Sequence, residues 1–347
     1  MMTHKKVEPL CPVFGECGGC LYQDIAYNDE LRIKEKTLRE LLSNVLGCVE
    51  GVVEDIVASP KIYHYRSRLD LRLLKTKSKD IFIGFSPKDR FGVVPVDACC
   101  IALESISNFI PELKKQAIDV LPDRYRLANL VVKAGDAGIV CWGGIGKGSL
   151  RQEARDYFWT EIQGKRCYYS LETFFQANLA ILPALFDRLR SLLFWTKETI
   201  FYDLYGGVGF FSVGLCDLVS EVYVIEENPA SVKLAQYNFN QNNVRNYQLR
   251  VGRVETEGNA LMAVAKDKHQ VAMIDPPRAG LSKPAKEMLR EASYLDHLCY
   301  LSCNPLALVK DLEDLLAMGW TVRSIIPFDF FPRTKHLETL AILTHSC

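Results

Sequence analysis

The chain has 347 residues, 48% hydrophobic and 24% charged, enough to bury a substantial core; this predicts two domains with a small appendage. Its 42 Lys and Arg balance 42 Asp and Glu, so net charge attracts no nucleic acid and any such partner needs a local patch. No apolar run approaches the roughly 18 to 20 residues that span a bilayer, and the opening MMTHKKVEPLCP lacks a secretory core, which predicts a cytoplasmic protein with reduced thiols.

Cys11, Cys17 and Cys20 come first, three thiols at a spacing that suits a metal site lacking its fourth ligand; spacing alone admits zinc. Residues 27–47 predict an amphipathic helix, with Asn28 as cap, Asp29 and Glu30 in the first turn, and Leu31, Leu38, Leu42 and Val45 on one stripe before Gly47. Strand signals begin near residue 52. Tyr63, Tyr65, Leu69, Leu71 and Leu73 alternate with His64, Arg66, Arg68, Asp70 and Arg72, the pattern of a half-buried strand with a mostly cationic polar face. Residues 61–80 carry seven Lys or Arg against two Asp, a local surface suited to a phosphate backbone. Shorter strands are expected at 81–85, 92–96 and 127–141, with Ala134 to Gly138 as a hairpin turn, so residues 50–165 read as a β-rich unit.

The rhythm changes after about residue 180. Apolar strands near 199–205, 221–226, 270–275 and 297–302 alternate with helical stretches, one opened by Asn228 and Pro229, which predicts a doubly wound parallel sheet. Ligands in such sheets sit beyond the carboxyl ends of the strands, and four groups fall there. Asp203-Leu-Tyr205-Gly206-Gly207-Val-Gly209 makes a glycine turn, and Glu226 ends the next strand, where its carboxylate can accept from both hydroxyls of a ribose. The spacing does not match the G-x-G-x-x-G of an NAD site, so the adenosine of another cofactor is preferred. Asp275 precedes two prolines that fix its turn, and Cys303 lies between an apolar strand and a helix start that would favour a thiolate. Glu338 enters a final apolar stretch, where burial would raise its pKa.

DLYGGVG, IDPPRAGL, YLSCNP and FPRTKHLETLAIL, in that order, resemble the motifs of the uracil-5 RNA methyltransferases, and the resemblance spans essentially the whole chain. It implies a Rossmann-like class I methyltransferase domain with a parallel-rich, doubly wound α/β sheet, a β-rich central RNA-binding domain and an amino-terminal iron–sulfur segment. The implied boundaries are 1–26 for the cluster segment, 27–49 for a linking helix, 50–168 for the central domain and 169–347 for the methyltransferase. Carbon 5 of uracil is a poor nucleophile until a thiolate adds at carbon 6 and makes the ring an enolate. The resemblance gives that role to Cys303 and removal of the carbon-5 proton to Glu338. It further implies Gln176, from the segment TFFQAN, together with Tyr205, Glu226 and Asp275 as residues binding S-adenosyl-L-methionine, and Phe174 as a platform for an extruded base. Arg66 and Arg68 are candidates for holding RNA.

The same resemblance favours a [4Fe–4S] cluster on Cys11, Cys17, Cys20 and Cys99, with Cys100 where relatives carry proline. Relatives commonly have cysteine and asparagine where this chain has Gly206 and Phe210. Only ten residues precede Cys11, so the OB-like domain of many relatives is expected to be missing. The implied product is 5-methyluridine in 23S ribosomal RNA, with uridine 54 of tRNA as the alternative, made by a cytoplasmic monomer with no membrane partner. Two rivals are an amino-group methyltransferase, whose Asp-Pro-Pro normally precedes an aromatic residue where Arg278 stands here, and a non-catalytic iron–sulfur RNA-binding protein, against which Cys303 and Glu338 speak.

Overall fold

The computed structural model describes residues 5–192, 194–263, 267–292 and 294–345. Helix α1 (Tyr27–Leu46) begins at Ala26, whose carbonyl accepts the Asp29 and Glu30 amides at 3.0 and 3.1 Å, so Asn28 lies inside the first turn and caps nothing. Its inner face buries Leu38 and Leu42, as the stripe predicts, but also Glu30 and Lys34.

The central unit is an antiparallel sheet of five strands, β1 (Arg68–Lys75), β2 (Ile81–Phe85), β3 (Val94–Pro95), β4 (Leu127–Ala134) and β5 (Val140–Gly143), in the order β3-β2-β1-β4-β5. β1 starts five residues later than its alternation suggests. His64 sits at φ 52°, a conformation no strand accommodates, and residues 64–66 instead bond to Cys100 and Ile101. Leu69, Leu71, Leu73, Ile83, Leu130 and Val132 form one face, covered by helix α2 (Glu104–Asp119) through Ile106, Ile110 and Leu113. That helix interrupts the expected run of strands, and it holds Pro111 in its interior.

Hairpin β6 (Phe158–Ile162) and β7 (Lys165–Tyr169) packs into the hydrophobic core of the carboxyl-terminal unit. In that unit α3 (Leu182–Arg190) precedes β8 (Ile200–Leu204), α4 (Phe210–Leu215), β9 (Glu221–Glu226), α5 (Pro229–Gln241), β10 (Tyr247–Val251) and α6 (Val254–Met262). There follow β11 (Gln270–Ile274), α7 (Lys283–Glu291), β12 (His297–Ser302), α8 (Pro305–Ala317), β13 (Trp320–Phe328) and β14 (Glu338–His345). The sheet order is β10-β9-β8-β11-β12-β14-β13. The first five strands are parallel, while β14 pairs antiparallel with both β12 and β13, so the sheet is mixed. Inserting β14 beside β12 pairs Thr339 with Ser302, which brings the first residue of β14, Glu338, beside the residue after Ser302, Cys303. Among the described residues no helix is long and apolar enough to cross a membrane.

Two sets of charged contacts tie the amino-terminal segment to the loop before β14. Lys34 Nζ lies 2.7 Å from both Glu30 Oε1 and Asp329 Oδ1, all three side chains being buried, and it also donates to the Phe331 carbonyl. Arg333, at φ 68°, accepts the Leu21 and Tyr22 amides on its carbonyl and donates through Nη1 to the carbonyls of Tyr22 and Ile25.

Candidate active site

A crevice of about 1120 Å³ opens beyond the carboxyl ends of β8, β9, β11 and β12. Cys303, Glu338, Gln176, Tyr205, Glu226, Asp275, Phe174, Arg66 and Arg68 all line it. Residues separated by up to 272 positions thus meet in one place, because each stands at a strand end or on a loop directed to the same rim.

At one side the glycine turn after β8 shapes the floor. A side chain at Gly206 would place Cβ 2.4 Å from Val224 Cγ1, and one at Gly209, which is at φ 79°, would meet the Phe239 ring at 2.7 Å. Both positions therefore exclude a Cβ, so the cysteine common in relatives at position 206 has no room here. Phe210 is buried edge-on against Phe175 and Phe186, and an aromatic cluster stands in for the asparagine of relatives. Glu226 is held by the Gly207 amide at 2.8 Å and the Asn228 amide at 2.6 Å, which fixes its direction and leaves further lone pairs for hydroxyl donors. Tyr205 occupies the left-handed region at φ 69°, a strained setting for a tyrosine that turns its ring toward the crevice wall. Gln176 donates from Nε2 to Asp275 Oδ2 at 3.3 Å. Burial, and secondarily the charge of Asp203, pushes the Asp275 carboxyl up to about 7.

At the other side are the reactive groups. Glu338 is 3% exposed and its Oε2 has no hydrogen-bond partner in the protein. Burial first and the neighbouring Asp275 second hold its pKa well above the ordinary carboxylate value, against the pull of Arg278. Glu338 is thus a buried acid with one unpartnered oxygen facing the crevice, held towards its protonated form. Cys303 does not show the expected thiolate preference. Helix α8 does start just after it, capped by Asn304, yet burial pushes the thiol up to about 11, Glu338 and Asp275 add to the push, and Arg278 opposes it. Desolvation and two nearby acids outweigh the helix end.

Arg278 and His336, not singled out as site residues in the sequence, share this rim. Arg278 Nη2 lies 2.9 Å from His336 Nδ1, and the Asn304 side-chain amide holds the Arg278 carbonyl at 2.9 Å. An arginine can only donate, so Nδ1 accepts and the proton of the neutral ring sits on Nε2. The available signal was the charge following Asp275-Pro-Pro and a histidine two residues before Glu338. Gly18 and Gly19 also line the crevice, so the amino-terminal cysteine segment forms part of its wall.

The cysteines of that segment are gathered with Cys99 and Cys100. Cys11 and Cys100 share a hydrogen bond, Gln23 Nε2 reaches Cys100 Sγ at 3.5 Å, Cys17 feels the charges of Cys11 and Cys99, Cys20 those of Cys11, Cys17 and Cys99, and Cys99 that of Cys11. The donor set is all thiol, as an iron–sulfur cluster requires. Among the described residues, no group of three or more His, Cys, Asp or Glu side chains is arranged to hold a metal ion.

Comparison with known proteins places this crevice in context. Residues 154–346 match the family model described as tRNA (Uracil-5-)-methyltransferase. An uncharacterized RNA methyltransferase of Aquifex aeolicus is 27% identical over 96% of this chain and 83% of its own length. One from Thermosynechococcus vestitus is 28% identical over 99% and 85%. In fold, the chain is similar to the tRNA (uracil-54, C5)-methyltransferase of Pyrococcus abyssi, solved with S-adenosyl-L-homocysteine, at a TM-score of 0.72 and 22% identity over 94% of this chain and 86% of that one. With more than half its length matching the family model, the chain belongs to the RNA (uracil-5-)-methyltransferases, enzymes that move a methyl group from S-adenosylmethionine to carbon 5 of uridine in RNA.

Proposed function

We propose that Cys303 is the nucleophile and Glu338 the base, acting on a uridine of 23S ribosomal RNA. The observation that carries this reading is the shared crevice in which an unpartnered, buried Glu338 faces the same space as Cys303. Cys303 first releases its proton to solvent; its thiolate adds to carbon 6, and the electron pair of the 5,6 double bond shifts into an enolate with the carbon-4 carbonyl, leaving carbon 5 nucleophilic. S-adenosylmethionine, when bound, supplies the electrophilic methyl group. Glu338 then removes the carbon-5 proton, and return of the electron pair restores the ring double bond and expels Cys303. Gln176, Tyr205, Glu226 and Asp275 hold the methyl donor, with Glu226 directed to a ribose. Phe174, 65% exposed at the crevice mouth, stacks on the extruded base, and Arg66 and Arg68 hold phosphate. Arg68 is already paired with Asp70 at 2.7 Å, so RNA must compete for it.

In the same reading Cys11, Cys17, Cys20 and Cys99 hold a [4Fe–4S] cluster with a structural role, pinning the helix at 27–47 and the β domain together. The nearness of these four thiols, close enough for their charges to interact, supports this. Transfer RNA is the second substrate candidate, favoured by the description of the matching family.

The test is methyl transfer with two variants. Cys303→Ala should abolish transfer, whereas Glu338→Gln should methylate once and stall as a protein–RNA adduct visible on a denaturing gel. Near-normal turnover by Cys303→Ala would overturn the covalent mechanism. Mapping 5-methyluridine in ribosomal and transfer RNA, from cells with and without the gene, decides the substrate.

A further inference from the structure

The five-stranded sheet has a second face, opposite α2. Leu69, Leu71 and Leu73 point to the helix, so Arg68, Asp70, Arg72 and Leu74 point away from it. Residues directly opposite share a face: Leu74 pairs with Phe82 on β2 and with Leu127 on β4, and Arg72 pairs with Asn129. Phe82 and Leu127 are 40% and 54% exposed. Above this face stands Phe91, 75% exposed, with the Arg72 guanidinium 5.8 Å from its ring centre. Phe91 belongs to the loop joining β2 to β3, which also offers the exposed Lys88 and Arg90. This loop is tied to the cysteine segment, Gly18 N donating to Ser86 O at 3.1 Å and Lys88 N to Glu16 O at 3.0 Å.

The face is continuous with the crevice. Arg66, Arg68, Asp70, Gly18 and Gly19 line the crevice, and Arg72 lies four residues along β1 from Arg68, about 13 Å at the rise of an extended strand. An open antiparallel sheet carrying exposed aromatic rings, flanked by arginines and leading to a catalytic cleft, has the features that bind unpaired bases: rings accept any base on their faces, and cations follow the backbone.

We propose that this open sheet face is a single-stranded RNA platform, on which nucleotides flanking the target stack against Phe91 and Phe82 while Arg72, Lys88 and Arg90 hold their phosphates. It rests on the reading that the substrate is RNA and extends the contact surface well beyond the methylated base. The platform discriminates unpaired from paired RNA, because a base within a duplex has no free face to offer.

The experiment measures binding of a fluorescent twelve-residue oligouridylate and of a blunt RNA duplex to the full chain by anisotropy. Phe82→Leu/Phe91→Leu, which keeps apolar bulk and removes the ring, should weaken oligouridylate binding roughly tenfold and leave duplex binding unchanged. Phe82→Tyr/Phe91→Tyr should bind as the parent does, which separates stacking from damage to the fold. Arg72→Gln should make the slope of log affinity against log salt shallower by about 0.7. Parent-like oligouridylate binding by the double leucine variant overturns the platform. So does a leucine variant that loses only self-association in sedimentation, since the face would then contact a second copy of the chain. Failure of the parent to methylate any RNA would refute the enzymatic reading and leave these binding results to stand or fall separately.

Discussion

Arg278 donates a hydrogen bond to Nδ1 of His336 across 2.9 Å, on the rim of the crevice that holds Cys303 and Glu338. Burial first, then the charges of Arg278 and Lys335, push the imidazole down to about 4. His336 is accordingly neutral throughout the working range, with a fixed N–H on Nε2. NMR of histidine-labelled protein should show no protonation of this ring between pH 6 and 8. In Arg278→Gln, loss of a neighbouring positive charge should move its midpoint upward. A ring titrating near 6.5 in the parent would refute the assignment.

The thiol of Cys303 makes a second prediction. With its pKa at about 11, alkylation by iodoacetamide should be slow at pH 7.5 and keep rising through pH 10. Arg278 lowers this pKa and Asp275 raises it, so Arg278→Gln should slow the reaction and Asp275→Asn should speed it at pH 8.5. Mass spectrometry of the Cys303 peptide reads the rate separately from the other thiols. Equal rates in both variants would show that these charges do not reach the sulfur.

The cluster assignment predicts iron and sulfide in protein purified without oxygen. Cys99→Ser should lose both, while Cys100→Ser, whose sulfur is engaged by Gln23 and Cys11, should keep the visible absorption of the cluster. Stoichiometric zinc without sulfide would replace the cluster by a zinc site.

Lys34 bears on stability. Its ammonium contacts two buried carboxylates, and Lys34→Met leaves Asp329 without a cation and Glu30 with only Arg333 at 3.5 Å, at a cost of about 3–5 kcal/mol in chemical denaturation. Burial, only partly offset by Lys34, raises Glu30 from 4.5 to about 7, so the folded chain binds a proton that the unfolded chain has released in that window. The contribution of Glu30 therefore declines as pH rises from 4.5 to 7. Without Lys34 the folded pKa rises further and the deficit should shrink on acidification. A deficit independent of pH would exclude these acids as its source.

Much of the crevice was legible because chemistry in an open α/β sheet gathers at strand ends. Gly206, Glu226, Asp275 and Cys303 stand there in linear order, and only their convergence needed coordinates. What was not legible depended on tertiary context. Helix α2 hides behind Pro111 and a segment set between expected strands, and its apolar face has meaning only against the five-stranded sheet it covers. Strand β10, at the sheet edge, is exposed at Gln248, Arg250 and Val251, so it lacks the apolar run of its buried neighbours. The protonated state of Cys303 was misjudged because a helix start is visible in sequence, whereas the two acids that oppose it arrive from β11 and β14. Glu30 and Lys34 look like an ordinary surface pair until Asp329 closes over them.

The clasp of Arg333 and Asp329 by residues 21–34 also couples one helix to the approach of the crevice. Helix α1 carries a buried lysine and glutamate whose partners lie about 300 residues further along the chain. Without those partners the buried charges of α1 would be left with only each other, so its docked position depends on residues 329–333 being in place. The loop that holds α1, through Asp329 and Arg333, runs directly into β14, whose first residue is Glu338. Displacing α1 would therefore uncover the buried carboxylate of Asp329 and loosen the loop that leads into Glu338.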